Sequence, residues 1–385
     1  MKITARAGVR LATAATSAVA ATALLATPSL AGTQQAQHRG SWTAGDVFVQ
    51  TDNTSGNAIA VYHRNPDGTL TTAGQYGTGG LGGVLSGSVV DHLASQGSLA
   101  YDAGSGLLYA VNAGSNTITV FEVHGDHLVR HQVISSGGSF PVSVAARGHV
   151  VYVLNARDGG SVQGFLRVGS SLVRVPSWHR ALGLDASETP EFTSTPGQVA
   201  FTPDGTKLVV TTKNNGNDID VFGLNAAGAP SAAPVVNSDP GAVPFAVSFD
   251  AGGHLVVAEA GTNSVATFTV GWNGKLTLVN RAATGQMATC WIARDGSLFY
   301  ASNAGSASVS GYADFGSGAL HALGNTTAGA GTVDAVASPD GRDLYVRGGA
   351  DGTVTEFAVQ AGGALTEIGS VTVPGAVGGE GIAAS

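Results

Sequence analysis

Short segments of alternating apolar and polar residues recur along the chain, each closed by an aromatic. They are AIAVY ending at Tyr62, TITVF at Phe121, SVQGF at Phe165, DIDVF at Phe222, SVATF at Phe268, SVSGY at Tyr312 and TVTEF at Phe357. Period-two alternation marks a strand with one face in a core and the other partly exposed. The aromatics are separated by 59, 44, 57, 46, 44 and 45 residues. Four spacings agree within two residues, and the other two are longer by about the length of a loop. Repetition at roughly 40–50 residues, with strands inside each unit, predicts an all-β fold, a β-propeller.

The unit can be read strand by strand. SLAYD (Ser98 to Asp102) precedes the turn AGSG; LLYAVN (Leu107 to Asn112) precedes the turn AGSN; TITVFEV (Thr117 to Val123) passes through Gly125-Asp126 into HLVRHQVI. Four antiparallel strands follow, joined by turns in which Gly, Asn and Asp supply the positive φ required. The Pro203-Asp204-Gly205 and Pro339-Asp340-Gly341 triplets are turn chemistry of the same kind. First strands fall near Ala100, Val144, Ala200, Val247, Ile292 and Val336, with a last one in GGEGIAAS around Ile382. The unit containing Tyr62 lacks a preceding first strand, and the terminal segment is a first strand with nothing after it. Joining them predicts seven four-stranded antiparallel blades in a ring closed by the C-terminal strand.

The remaining composition bounds the setting. Lys2, Arg6 and Arg10 followed by an apolar stretch from Leu11 to Ala26 and by Ser29-Leu30-Ala31 make a secretory signal over residues 1–31. Residues 32–44 are expected to be a disordered lead-in, and 45–385 one propeller domain. The signal segment is too short and too rich in Ala and Thr for a stable membrane anchor. It holds three of the positive charges and no acid, so the rest of the chain is three units more acidic than the net −8 of the whole. Such a surface excludes nucleic acid and anionic membranes as natural partners. Cys290 is the one cysteine, which rules out an intramolecular disulfide; between Thr289 and Trp291 it reads as a buried structural thiol.

Propeller geometry sorts the polar residues. Turns before first strands and between second and third strands open on one face. That face gathers Asn53, Asn112, Asn155, Arg157, Lys213, Asn214, Glu259, Asn303 and Arg347, together with Gln198, Asp334 and Glu380. Two long insertions belong to it as well, Gln75 to Gln96 and Val168 to Pro196, the second carrying Trp178, His179, Arg180, Glu188 and Glu191. Glu259 and Glu380 are the candidate general bases; Lys213, Arg157, Arg347, Asp334 and Gln198 are candidates to bind an anionic or polyhydroxylated ligand. Blade-to-blade ion pairing is the competing explanation for the same charges. His124, His127 and His131 flank a hairpin on the opposite face without a fourth ligand, so no metal site is expected. Gly77 to Gly82 fits G-x-G-x-x-G outside any βαβ context and reads as a flexible insertion.

The units LYAVNAGSNTITVFEV and LVVAEAGTNSVATFTV, with the PDG turns, resemble the repeats of the seven-bladed lactonase family, which includes 6-phosphogluconolactonase-like and 3-carboxymuconate-cyclase-like proteins and overlaps with YVTN propellers. The resemblance runs from about Gly45 to Ser385. It implies an enzyme that opens or closes a lactone of an organic acid without a metal or other cofactor. Where that family carries Pro-Arg-His or Pro-His-His, this chain reads Pro141-Val142-Ser143, Pro196-Gly197-Gln198 and Pro244-Phe245-Ala246. Glu259, in AEAG, matches the acid that the family places after its second strand. Two functions are therefore expected to compete. One is a secreted, monomeric lactonase-type hydrolase acting on a small-molecule lactone. The other is a non-catalytic extracytoplasmic propeller binding a glycan, peptide or protein, with an exposed patch around Trp178.

Overall fold

The computed structural model describes residues 44–385. The expected signal segment, and the lead-in up to residue 43, lie outside the described residues. Seven four-stranded antiparallel sheets follow one another. Blade 1 is built from Asp46–Gln50, Ala58–Arg64 and Leu70–Gly77, and its innermost strand is Ile382–Ala384. The closing register pairs Val47 with Ala384, Phe48 with Ala383 and Val49 with Ile382. The other innermost strands are Leu99–Asp102, Pro141–Arg147, Val199–Phe201, Pro244–Phe249, Thr289–Asp295 and Thr332–Ala337, for blades 2 to 7 in turn.

Burial is greatest in the second strands and falls toward the outer edge. Second strands such as Leu107–Asn112 and Val150–Asn155 are buried at every position, because both faces of a blade lie against neighbours there. Outer strands keep an alternating or mostly exposed pattern, as in His127–Ser135. The seven repeat aromatics are all in the core, from fully buried Phe165 to Phe268 at 7% exposure. In six blades the pairing of third with fourth strand slips at or beside this aromatic. A bulge there adds local twist, which each blade needs to lie against the next. A second repeated device ties blades together. Buried tyrosines of second strands donate to glycine carbonyls of the following blade: Tyr152 to Gly228 at 2.7 Å, Tyr300 to Gly363 at 3.0 Å and Tyr345 to Gly68 at 2.9 Å.

The second insertion is shorter than its sequence suggests. Trp178, His179 and Arg180 belong to the long outer strand of blade 3, Ser171–Ala181, which bulges opposite Gly164 around Pro176. The proline and the bulge break the alternation, so the segment does not look like a strand. Trp178 is 7% exposed and stacks on Tyr152, with ring centroids 6.2 Å apart. It forms no exposed patch.

Ring closure rests on a short strand with few atoms to spare. Ile382→Asp places a charge against Val49 and should cost about 3 kcal/mol or more, lowering Tm by roughly 5–10 °C. Thr366→Asp on an exposed outer strand should move Tm by less than about 1 °C, because it buries nothing. Thermal melts of the two variants measure the contrast.

Candidate functional site

The first insertion does not stand off the surface. Residues 78–98 fold inward across the end of the channel and close it. The segment sits on two glycines where any Cβ would clash: at Gly349 it would lie 1.8 Å from the Val90 carbonyl oxygen, and at Gly378 2.0 Å from the His92 ring. The His92 amide donates to the Gly378 carbonyl at 2.7 Å. Its own Leu85 and Leu93 are completely buried. At its inner end, Gln96 reaches the opposite side of the ring. Its Nε2 donates to the Ile292 carbonyl at 2.9 Å, and its Oε1 accepts from the Ile292 amide at 2.8 Å. The Trp291 indole donates to the Ser95 carbonyl at 2.6 Å.

Under this plug lies a buried chamber of charge. Glu380, Arg347, Lys213, Asp334, Asp52 and Asp91 are each 4% exposed or less. Arg347 donates to the carbonyls of Gln50 at 2.6 Å, Glu380 at 2.9 Å and Ala376 at 3.1 Å. Lys213 donates to the carbonyls of Ala94 and Phe192, both at 2.6 Å, and to Thr195 Oγ1 at 3.0 Å. Asp91 accepts from the amides of Leu93 and Ser95 at 2.8 and 2.9 Å, which fixes the plug's tight turn. Asp52 accepts from the Gln50 amide group, and from the Glu380 backbone N–H at 3.0 Å.

Four carboxyls against two cations would leave two negative charges in a dry space. Protonation is the cheaper outcome. Burial lifts Asp52 to about 6 and Asp91 and Asp334 to about 7, while the same loss of water lowers Lys213 to about 7 and Arg347 from its usual range. Glu380 is raised well above an ordinary carboxyl, first by burial and then by Asp91, Asp334 and Asp52. Hydrogen bonding agrees. The Ser95 hydroxyl lies 2.8 Å from Glu380 Oε1 and 2.9 Å from the Val142 carbonyl. One hydroxyl proton serves only one of them, so both contacts become hydrogen bonds when Glu380 carries a proton and donates to Ser95. Glu380 Oε2, Arg347 Nε and Gln50 Oε1 are buried here without hydrogen-bond partners among the described residues. Cys290, half-buried beside Lys213 and Asp91, has its thiol pushed up to about 12 by burial, the reverse of what a thiolate nucleophile needs.

Of the residues singled out in the sequence, Glu380, Lys213, Arg347 and Asp334 thus meet in one chamber. Three do not. Glu259 is held by Arg281 through two contacts of 2.7 and 2.8 Å, with Ser264 and Thr262 on the same carboxyl. It is an interstrand ion pair within blade 5, extended by Arg281 to Asp239. Arg157 pairs with Glu191 at 2.6 Å and lies over the Phe140 ring, in an outer pocket lined by Glu188 and Asp185. Gln198 accepts from the Val247 amide at 2.6 Å, tying blade 4 to blade 5. Asp52 and Asp91 belong to the chamber and were missed. Asp91 sits in an insertion with no repeat partner, and Asp52 is one position from the Asn53 picked from its turn; a two-acid signal was there only for a reader who folded the insertion inward. Among the described residues, no set of three or more His, Cys, Asp or Glu is arranged to hold a metal ion.

The architecture is that of a seven-bladed β-propeller with a plugged channel. No family profile and no curated protein matches the chain in sequence. Solved structures do match it in fold. The periplasmic gluconolactonase PpgL of Pseudomonas aeruginosa is 19% identical with a TM-score of 0.68, over 86% of this chain and 97% of that one. Candidate 6-phosphogluconolactonases of Bacteroides fragilis (20% identity, TM-score 0.70, 89% and 98% covered) and Bacteroides uniformis (17%, 0.72, 89% and 100%) superpose as well.

The chamber contributes to the pH dependence of stability, with the same sign as Asp220 and Glu356 elsewhere in the ring, which burial also raises to about 7. Acids raised from 3.8 to about 6 or 7 bind their protons more tightly in the folded state, so their stabilisation is complete below about pH 4 and is lost as pH rises through 6 to 7. Lys213, lowered from 10.5 to about 7, acts with the opposite sign but only above pH 7. Tm should therefore fall between pH 5 and pH 7.5. Asp334→Asn, which fixes the neutral form, should flatten that decline in melts across the same range.

Proposed function

We propose that the protein is a lactonase-type hydrolase acting outside the cytoplasm, as a monomer without cofactor, on a lactone of a sugar acid or related organic acid. The observation that carries this reading is the Glu380 carboxyl, whose Oε2 is unpartnered in the chamber alongside the unpartnered Nε of Arg347. A carboxyl oxygen and one guanidinium N–H, each without a partner among the described residues and in a site where low dielectric strengthens both, are the two kinds of group that lactone hydrolysis requires. Ionised Glu380 takes a proton from a water as the water oxygen attacks the lactone carbonyl carbon. The developing oxyanion is stabilised by Arg347. The acyl–oxygen bond then breaks, and Glu380 returns the proton to the departing alkoxide, giving the hydroxy acid. The likeness in fold to a gluconolactonase supports the substrate class. No helix of the described residues is long and apolar enough to cross a membrane.

Lys213 has its three hydrogen bonds committed to the plug and to residues 192–195, so its part in this reading is to hold the chamber shut. Entry of substrate then requires movement of residues 78–98, as lids do in other enzymes.

Acid release from glucono-1,5-lactone and its relatives, above the buffer rate, tests the reading. Because the base must be ionised, kcat/KM should rise with pH along a limb displaced well above the ordinary carboxylate range. Glu380→Gln should lower it by about 10²–10⁴-fold and abolish that limb, while Glu259→Gln should leave the limb in place. No turnover with the intact protein, or equal rates in Glu380→Gln with an unaltered melt, would refute catalysis at this chamber and leave a binding propeller.

A further inference from the structure

The plug closes one end of the channel, and an open cleft lies on the other side of it. This cleft measures about 470 Å³, within the size range of small-molecule sites. Its inner end is Gly97, next to the Gln96 bridge, and Gln198; its walls come from the innermost strands of blades 2 to 6. Ala100, Ala145, Ala146, Ala200, Phe201 and Phe249 give those walls an apolar share of about half. Arg147 and Arg294 carry the charge of the lining, with Thr202 and Ser248 as neutral polar neighbours, and no Asp or Glu lines it.

Two features make this more than a gap at the axis. The first is a break in the repeat. Arg294 pairs with Phe299, at the register position where other blades pair Tyr101 with Leu108, Ala146 with Val151, Phe201 with Leu208, Phe249 with Leu255 and Ala337 with Leu344. Five blades fill that position with an apolar or aromatic side chain, and one fills it with a guanidinium. The second is charge. The chain carries a net −8, yet both cations here are exposed and have no acidic partner among the described residues. Arg294 Nε is oriented by the Gly296 carbonyl at 2.8 Å, and Arg147 lies against the turn at Gly205, where a Cβ would fall 2.3 Å from its Nε. Their other guanidinium donors have no hydrogen-bond partner among the described residues.

We propose that this lower mouth is a second binding site, for a small organic anion that pairs a carboxylate with an aromatic or aliphatic body. Guanidinium groups meet a carboxylate through paired N–H donors, and the Phe201 and Phe249 side chains with the alanine wall receive the apolar part. The site does not use Glu380, so it stands independently of the proposed hydrolysis.

Calorimetric titration of the full chain with benzoate, inorganic phosphate and benzyl alcohol tests it, using the native protein, Arg147→Gln/Arg294→Gln and Glu380→Gln. Benzoate should bind the native protein and Glu380→Gln equally. Its affinity should drop at least about tenfold in the double-arginine variant, whose substitutions are exposed and should leave Tm unchanged. Phosphate and benzyl alcohol should each bind at least about tenfold more weakly than benzoate, since each lacks one half of the recognition. Benzoate binding unaffected by the double substitution, or absent altogether, would overturn the proposal; so would phosphate or benzyl alcohol binding as well as benzoate. Loss of benzoate binding in Glu380→Gln would overturn the separation of the two sites.

Discussion

Everything in this molecule hangs on one short antiparallel pairing, that of Val47–Val49 with Ile382–Ala384. Without it, blade 1 has a bare inner edge and the array stays an open strip. With it, seven sheets share an axis and a channel is enclosed. Arg347 reinforces the same joint by donating to the carbonyls of Gln50 and Glu380, on the two segments being brought together. A cation committed to ring closure is thereby held at the axis, out of water.

The chemistry of the chamber follows from that placement. A buried guanidinium draws carboxyls toward it; the joint itself supplies Asp52 and Glu380, and the innermost strand of blade 7 supplies Asp334. The plug adds Asp91 and excludes solvent. Once the space is dry, four acids cannot all remain ionised beside two cations, and the excess is resolved by retained protons. Ring closure and retained protons therefore arise from the same residues, and Glu380 takes part in both.

The repeat was legible because period-two alternation with a fixed aromatic is a local signal, and ring closure followed from an arithmetic mismatch of strands. Side-chain partners were less so. Glu259 and Glu380 look alike along the chain, two acids near the ends of strands. Only the outer strand of blade 5, bringing Arg281 alongside, distinguishes an ion-paired carboxylate from one left among acids. Trp178 was misplaced because Pro176 and a bulge interrupt the alternation that marks its strand. The inward course of residues 78–98 had no repeat to betray it. Its partners Ile292, Gly378 and Lys213 lie far away in sequence, and a loop rich in glycine carries no local sign of where it will lie.

Gln96 has a mechanical meaning beyond sealing the channel. Blades of a propeller are fastened to their neighbours around the rim, like staves of a cask, and such a hoop yields most easily by flattening into an ellipse. The bridge from Gln96 to Ile292 joins blade 2 to blade 6 across the lumen. It acts as a spoke, resisting the one deformation that rim contacts alone oppose weakly, and its release would soften the whole ring at once.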